Sequence, residues 1–436
     1  MPQTYLKRSL QFLLVFIFFF IFFHAPISVW LSSIWPEQKL IIKAWKEILI
    51  LLSAIILFII LLMKGKISYI YYDKLVVCLI AYIVLHILLI TIFGGSVQQI
   101  IAGLMIDLRY IAFFGVVYLA VKFIPTLKKN ILTTVSIAGS ISLIFALLQL
   151  SVLPKDILAS IGYNKDTIQP YLTVDRNHDF IRINGTLRGP NPLGALAATG
   201  FVFVLVYTLM KHRNRSIQKI IAAGILFCLS LVVWFSYSRS ALGAVFISVT
   251  SAVILWHGSK MPKKFWLIGS SIILAMISSL FFFRDTSFVQ NTIFHNNPKD
   301  SNQINSDDAH VTSLGDGYQR MLDQPFGAGI GSTGSASYLS DQPLVIENQY
   351  LFIAHESGWL GLALFGAIIS IIYRRLYKVR RHDWLAMAVL SSGVGLFAIG
   401  LVLPVFVDDT VSLVWWGLAG VALGFQEKIT KKNRQS

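Results

Sequence analysis

Six charged side chains stand where this sequence makes a charge expensive. Arg109 interrupts the apolar run GLMIDLRYIAFF, Arg182 and Arg188 belong to RINGTLRGPNPLG at 182–194, and Arg239 sits in the turn FSYSRSALG at 235–243. Glu347 and Asn348 open VIENQYLFIAHESGWLGLALFG at 345–366, with His355 and Glu356 about two helical turns deeper. An arginine beside or within apolar sequence is costly unless an anion or water meets it. Guanidinium forks match phosphate oxygens two at a time, and a carboxylate at the mouth of a helical bundle can take a proton from a hydroxyl. Group transfer on a phosphate-bearing substrate is the chemistry that this set suits. Each residue also has a plainer role open to it. The arginines can anchor lipid headgroups or pair with acids; for Arg109 the nearby acid is Asp107, although residues two apart do not share a helix face. Glu347 can cap a helix N-terminus. His355 shares a face with Asn348, seven residues earlier, and can be a satisfied core histidine.

The elements that must position these residues are membrane spans. Of 436 residues, 56% are hydrophobic and 13% charged, against about 25% charged in soluble domains, so the chain cannot clothe a globule in polar groups. Apolar runs such as EILILLSAIILFIILLM at 47–63 have the length that a hydrocarbon core of roughly 30 Å asks of a helix. A membrane β-barrel would show short alternating segments instead. We expect an all-α polytopic membrane protein of about 12 transmembrane helices, at 10–32, 45–63, 75–93, 100–121, 131–152, 191–210, 218–235, 240–256, 266–283, 348–373, 384–403 and 410–425, forming a single membrane domain over 1–436. The basic start at Lys7 and Arg8 followed by an apolar run could be a signal peptide. No small-residue cleavage site follows, and Trp30 and Trp35 suit an interface, so it is taken as the first span.

Charge fixes the expected orientation. Lysine and arginine clusters follow every even-numbered span: Lys64, Lys66 and Lys74; Lys122, Lys128 and Lys129; Lys211, His212, Arg213, Arg215 and Lys219; Lys260, Lys263 and Lys264; Arg374, Arg375, Lys378, Arg380 and Arg381; and the tail Lys428, Lys431, Lys432 and Arg434. Cytoplasmic loops carry this bias, so both termini are expected in the cytoplasm. The two long connections, 153–190 and 284–347, then form extracytoplasmic loops, the second the larger. Within it, QRMLDQPFGAGIGSTG at 319–334 joins an amphipathic stretch to a glycine-rich turn. No strand precedes that turn and no Lys-Ser/Thr follows it, so a turn packed near the membrane face fits better than a phosphate loop.

Several classes drop out. The net charge of +16 is spread over loops, not along a basic stripe interleaved with aromatics, so nucleic acid is not an expected partner. Cys78 and Cys228 lie in apolar runs and read as small core residues. Asp307-Asp308, in an Asn/Ser-rich stretch, reads as solvated, so no metal site and no cofactor is expected.

Three segments in order resemble the O-antigen ligase and O-antigen polymerase superfamily, which has about a dozen spans and a large periplasmic loop. The match rests on Arg182 and Arg188 with Gly189, Pro190 and Asn191; on Ser238-Arg239; and on Asn348, Tyr350, Leu351, Glu356, Gly358 and Gly361. Where the ligases carry a histidine thought to act as base, this sequence has Glu347, which leaves ligase and polymerase both open. The resemblance implies a type C glycosyltransferase-like fold in the bacterial inner membrane. It further implies inverting, metal-independent transfer of a polyprenyl-diphosphate-linked glycan to a glycan or lipid acceptor on the outer face, among membrane lipids and with a chain-length regulator as a conceivable partner. Arg188 and Arg239 would bind the diphosphate, Glu347 would serve the acceptor as catalytic carboxylate, and Arg182, Asn191, Asn348, Tyr350, Arg109 and His355 would contact substrate. The competing classes are a transporter or flippase of lipid-linked sugars, which predicts inverted repeats and ionisable groups at mid-membrane, and a structural assembly protein, which would not need converging arginines.

Overall fold

The computed structural model describes residues 2–174, 176–211, 215–258, 263–294 and 306–432. Asp175, His212, Arg213, Lys260 and Arg434 lie outside them, as do the side chains of Asp307 and Asp308. Helix α1 (Pro2–Phe20) continues through a 3-10 turn, Ile21–Phe23, into α2 (His24–Ile34). Pro26 has no N–H to give the Phe22 carbonyl, which accounts for the bend. Then come α3 (Lys39–Lys43), α4 (Trp45–Met63), α5 (Ser68–Tyr72), α6 (Lys74–Phe93), α7 (Val97–Phe123) and α8 (Leu127–Ser151). A small antiparallel hairpin of β1 (Leu172–Val174) and β2 (Asn177–Arg182), with Leu172 opposite Arg182, occupies the first long loop. The chain resumes with α9 (Pro190–Lys211), α10 (Ser216–Phe235), α11 (Arg239–His257), α12 (Lys263–Phe283) and α13 (Ser287–Val289). After α14 (Ser306–Asp323) and α15 (Gly334–Ser337), the last three helices are α16 (Gln349–Val379), α17 (Trp384–Ile399) and α18 (Asp409–Lys432).

Among the described residues, nine helical elements are long and apolar enough to cross a membrane; α17 and the apolar part of α18 are shorter. With α12, 21 residues long, they fall at the twelve positions that the sequence marks. The chain is an all-α polytopic membrane protein. Helix α4 leaves Leu51, Ile55, Phe58 and Leu62 exposed, three or four residues apart, as a lipid-facing stripe. Helix α18 runs through the middle, with Trp415 and Trp416 fully buried. A Cβ on Gly417 would lie 2.7 Å from the Phe113 ring, and one on Gly424 would lie 2.5 Å from the Tyr118 carbonyl oxygen. These small residues are what let α18 lie against α7, the usual device where lipid offers no hydrophobic drive for association.

The bundle has a lysine-bearing end and a loop-bearing end. At the lysine-bearing end, Asp73 caps α6 by accepting from the Leu75 N–H, and it also accepts from Tyr118 at 2.5 Å and Arg375 at 2.5 Å. Lys128 pairs with Asp383 at 3.2 Å. At the loop-bearing end, the glycine-rich turn is a packed insert with little freedom to move. Helix α16 breaks at Gly358, φ +67°, and the turn satisfies the groups the break frees: Ala328 N–H donates to the His355 carbonyl at 2.6 Å, and Trp359 N–H to Pro325 at 2.9 Å. Irregular backbone survives among spans only when buried in protein like this. A Cβ on Gly103 of α7 would sit 2.5 Å from the Gly331 nitrogen, and Gly331 itself has φ +79°.

Two outcomes follow. Gly331→Ala adds a Cβ 2.6 Å from the Gln99 carbonyl oxygen at positive φ, and should cost about 2 kcal/mol or more; an unchanged unfolding midpoint in detergent would contradict the packing. For Asp73, burial pushes the carboxyl up, but hydrogen bonds from Arg375 and Tyr118 outweigh it and hold the pKa below 3.8. A depressed pKa stabilises the fold above the unfolded value and stops doing so as the pH falls through the folded one. Asp73→Asn should therefore unfold at lower temperature than wild type at neutral pH, with the gap closing below pH 3.8. A gap independent of pH would count against the brace.

Candidate functional site

The arginines singled out from the sequence all lie at the loop-bearing end, in two groups. The first surrounds the turn between α10 and α11. Arg182, at the end of β2, donates from Nε to the Ser236 carbonyl at 3.0 Å and from Nη2 to Asn191 Oδ1 at 2.6 Å. It thereby ties the hairpin to the first turn of α9. Arg239 begins α11, whose N-cap is Ser238, and its Nη1 donates to the Ile293 carbonyl at 3.4 Å. Tyr237 reaches positive φ, +47°, to make this turn, and Gly194 leaves room for it, since a Cβ there would lie 2.7 Å from Ser236 Oγ.

The second group surrounds the head of α18. Asp409 is buried, and its carboxylate contacts Arg109 of α7, Lys46 at 3.5 Å and His24 at 3.2 Å. Trp45 Nε1–H donates to His24 Nδ1 at 3.0 Å, which leaves the imidazole proton on Nε2, facing Asp409. Arg109 also donates to the Val407 carbonyl and lies 3.9 Å from Glu47. Asp107 points elsewhere, toward His86 at 3.9 Å and the Glu356 carboxyl, so it is Asp409 that answers Arg109. Next to this cluster, Arg188 is exposed and reaches Asp408 at 3.7 Å. Lys43 of α3 stands close by. Partial desolvation, and after it the charges of Lys39 and Arg188, hold its pKa below 10.5.

The third sequence motif meets the second group through the segment between α17 and α18. Asn348 caps α16, accepting from the Tyr350 and Leu351 N–H groups, and donates to the Leu401 carbonyl at 2.8 Å. Gln349 Oε1 accepts from Phe406 N–H at 2.8 Å, two residues before Asp408. Tyr350 donates its hydroxyl to the Phe397 carbonyl at 2.8 Å. His355 is buried, and its Nδ1 has no partner among the described residues. Glu356 accepts from Thr333 N–H at 3.2 Å and so pins the glycine-rich turn. The cap of α16 being Asn348, the Glu347 carboxylate is left for something else: it contacts His310 Nδ1 of α14.

His24, Lys43, Lys46, His310, Asp408 and Asp409 are members of this end that the sequence reading did not single out. Asp408-Asp409 gave a usable signal, two acids opening the last apolar run. The rest depend on packing between helices far apart in sequence. Among the described residues, no group of three or more His, Cys, Asp or Glu side chains is placed to hold a metal ion. An apolar cavity of about 840 Å³ lies between α8, α9 and α10, from Ser142, Leu193 and Val232 near the loop-bearing end to Lys211, Gln218 and Trp384 near the other.

The family model described as O-antigen ligase matches residues 224–366. Over that stretch the match supports membership of the O-antigen ligase and polymerase superfamily. The matched stretch is about a third of the chain. It holds Ser238-Arg239, the glycine-rich turn, Glu347 and the Glu356–Gly361 part of α16, while Arg109, Arg182, Arg188 and Asn191 precede it. A comparison with curated proteins returns no match.

The Asp409 cluster yields a direct test. Arg109→Met leaves a buried carboxylate with fewer cations, and breaking such a pair costs about 3–5 kcal/mol. Its unfolding midpoint should fall well below that of Arg188→Met, whose side chain is 46% exposed. Equal midpoints would mean that the cluster does not hold the bundle together.

Proposed function

We propose that this O-antigen ligase-family protein transfers a polyprenyl-diphosphate-linked oligosaccharide to a glycan or lipid acceptor, with inversion at the anomeric carbon. What carries the reading is the exposed guanidinium of Arg188, at the end of the bundle that also holds Arg182 and Arg239, together with the match to the O-antigen ligase family model. Arg188 and Arg239 hold the diphosphate. Negative charge grows on that group as the anomeric bond breaks, so their attraction strengthens toward the transition state, the kind of binding that raises rate. Diphosphate departs as an anion, and no acid catalyst is needed. Arg182 and Asn191 fix the backbone from which Arg188 projects, and Arg109 does the same from below through Asp409. Glu347 serves the acceptor hydroxyl as the orienting or proton-accepting group, a task that suits a half-exposed carboxylate at a bundle mouth.

The largely apolar cavity along α8, α9 and α10 suits part of an isoprenoid chain. The positive-inside bias of lysine and arginine supports cytoplasmic termini, an active face outside the cytoplasmic membrane of a bacterium, and long loops 153–190 and 284–347 on that face. Polymerisation and ligation differ only in the acceptor, and a chain-length regulator would act on the former.

Purified protein reconstituted with polyprenyl-diphosphate oligosaccharide and acceptor should lengthen or transfer the glycan. Arg188→Ala and Arg239→Ala should each lower the rate by roughly 100- to 1000-fold, the range for losing one charge-stabilising group. Full activity in either variant, or donor crossing the bilayer with no new glycosidic bond, would refute the diphosphate clamp.

A further inference from the structure

The geometry points to His310 as the base that receives the acceptor proton, with Glu347 as the residue that positions it. This rests on the transfer reading above and assigns the proton-accepting atom within it. Helix α14 lies along the segment that leads into α16, and one face of it makes the join. Ser313 Oγ accepts from Glu347 N–H at 3.1 Å and donates to the Val345 carbonyl at 3.3 Å. A Cβ on Gly317 would lie 3.2 Å from Ile346 and Leu351, and the Met321 carbonyl accepts from Trp359 Nε1–H at 2.8 Å. Positions 310, 313, 317 and 321 are three or four residues apart and therefore share that face. His310 is thus held against Glu347 by three neighbouring contacts that do not involve its own ring.

The ring chemistry then has one consistent arrangement. An ionised carboxylate only accepts, so His310 Nδ1, in contact with Glu347 Oε2, carries the proton. In the neutral imidazole this makes Nε2 the lone-pair atom. No described residue engages Nε2, and His310 is 34% exposed, so the free nitrogen is available to an acceptor hydroxyl. Glu347, 33% exposed, already gives its Oε2 to the ring, so a proton taken by this carboxylate would weaken the charge that holds the imidazole in place. Its negative charge instead fixes the tautomer and stabilises the imidazolium as it forms, as carboxylates do in His-carboxylate pairs.

In the step itself, the acceptor O–H proton goes to His310 Nε2 as the acceptor oxygen bonds to the anomeric carbon. The bond from that carbon to the diphosphate oxygen breaks, its electron pair leaving with the polyprenyl diphosphate. The imidazolium afterwards returns its proton to solvent, and no co-reactant is required.

The experiment compares wild type, His310→Ala, His310→Gln and Glu347→Gln in proteoliposomes supplied with polyprenyl-diphosphate oligosaccharide and acceptor. Binding of the donor is measured in parallel. His310→Ala should bind donor as wild type does yet transfer about 100- to 10,000-fold more slowly, the range for losing a general base. Added imidazole should restore part of that rate in His310→Ala but not in the bulkier His310→Gln. Glu347→Gln should lose less than His310→Ala and gain nothing from imidazole. Wild-type transfer by His310→Ala, or a donor-binding His310→Ala that imidazole cannot rescue, would overturn the assignment while leaving the transfer reading intact. A wild type that binds donor and makes no bond would overturn the transfer reading and this assignment with it.

Discussion

A single buried carboxylate, Asp409, gathers the bundle at its loop-bearing end. It opens the central helix α18 and is met by Arg109 from α7, Lys46 from α4 and His24 from the bend between α1 and α2. Thr410, the next residue, donates its hydroxyl to the Ile21 carbonyl at that same bend at 2.9 Å. Four elements distant in sequence are therefore pinned at one level. Taking charges out of water is expensive, and the cost falls on whichever partner is left alone, so removing one of them loosens the rest. Above this floor the proposed site is assembled, with Arg188 on Asp408 and the start of α16 held to the segment 400–407.

Much of the fold was legible because a bilayer allows so few solutions. Apolar length and the placement of lysine and arginine mark the twelve helices, and each is present. The hairpin of β1 and β2 escaped notice because its residues, Leu172–Val174 and Asn177–Arg182, show no clean alternation and owe their pairing to the Arg182 anchor. The glycine-rich turn, expected to pack near the membrane face, lies against the first turns of α7 and the break in α16 at Gly358, where Pro325 and Ala328 pair with backbone groups that the break leaves open. Glycines at 327, 329, 331 and 334 supply the positive φ angles this path demands.

The site residues divide along a similar line. Arginines in apolar surroundings announce themselves by their cost, which is why Arg109, Arg182, Arg188 and Arg239 stand out in the sequence. Their partners are harder to see. Asp408 and Asp409 stand out as two acids opening the last apolar run, but that Asp409, 300 residues after Arg109, answers that arginine emerges only once the helices are packed. Glu347 shows both sides of this. Its position before a span allowed either a helix cap or a reactive carboxylate, and the cap turned out to be Asn348. A histidine absent from position 347 in the chain is present beside it in space, brought by α14.

The transfer reading makes the loop-bearing end a place where a lipid diphosphate meets a hydroxyl, with the spans as scaffold and the apolar cavity beside α9 as room for the lipid. Its most direct test is a cryo-EM structure of the protein in nanodiscs loaded with polyprenyl diphosphate. The expected result is diphosphate density within hydrogen-bonding reach of Arg188 and Arg239. Diphosphate bound at the lysine-bearing end, or at the loop-bearing end without touching either arginine, would contradict it.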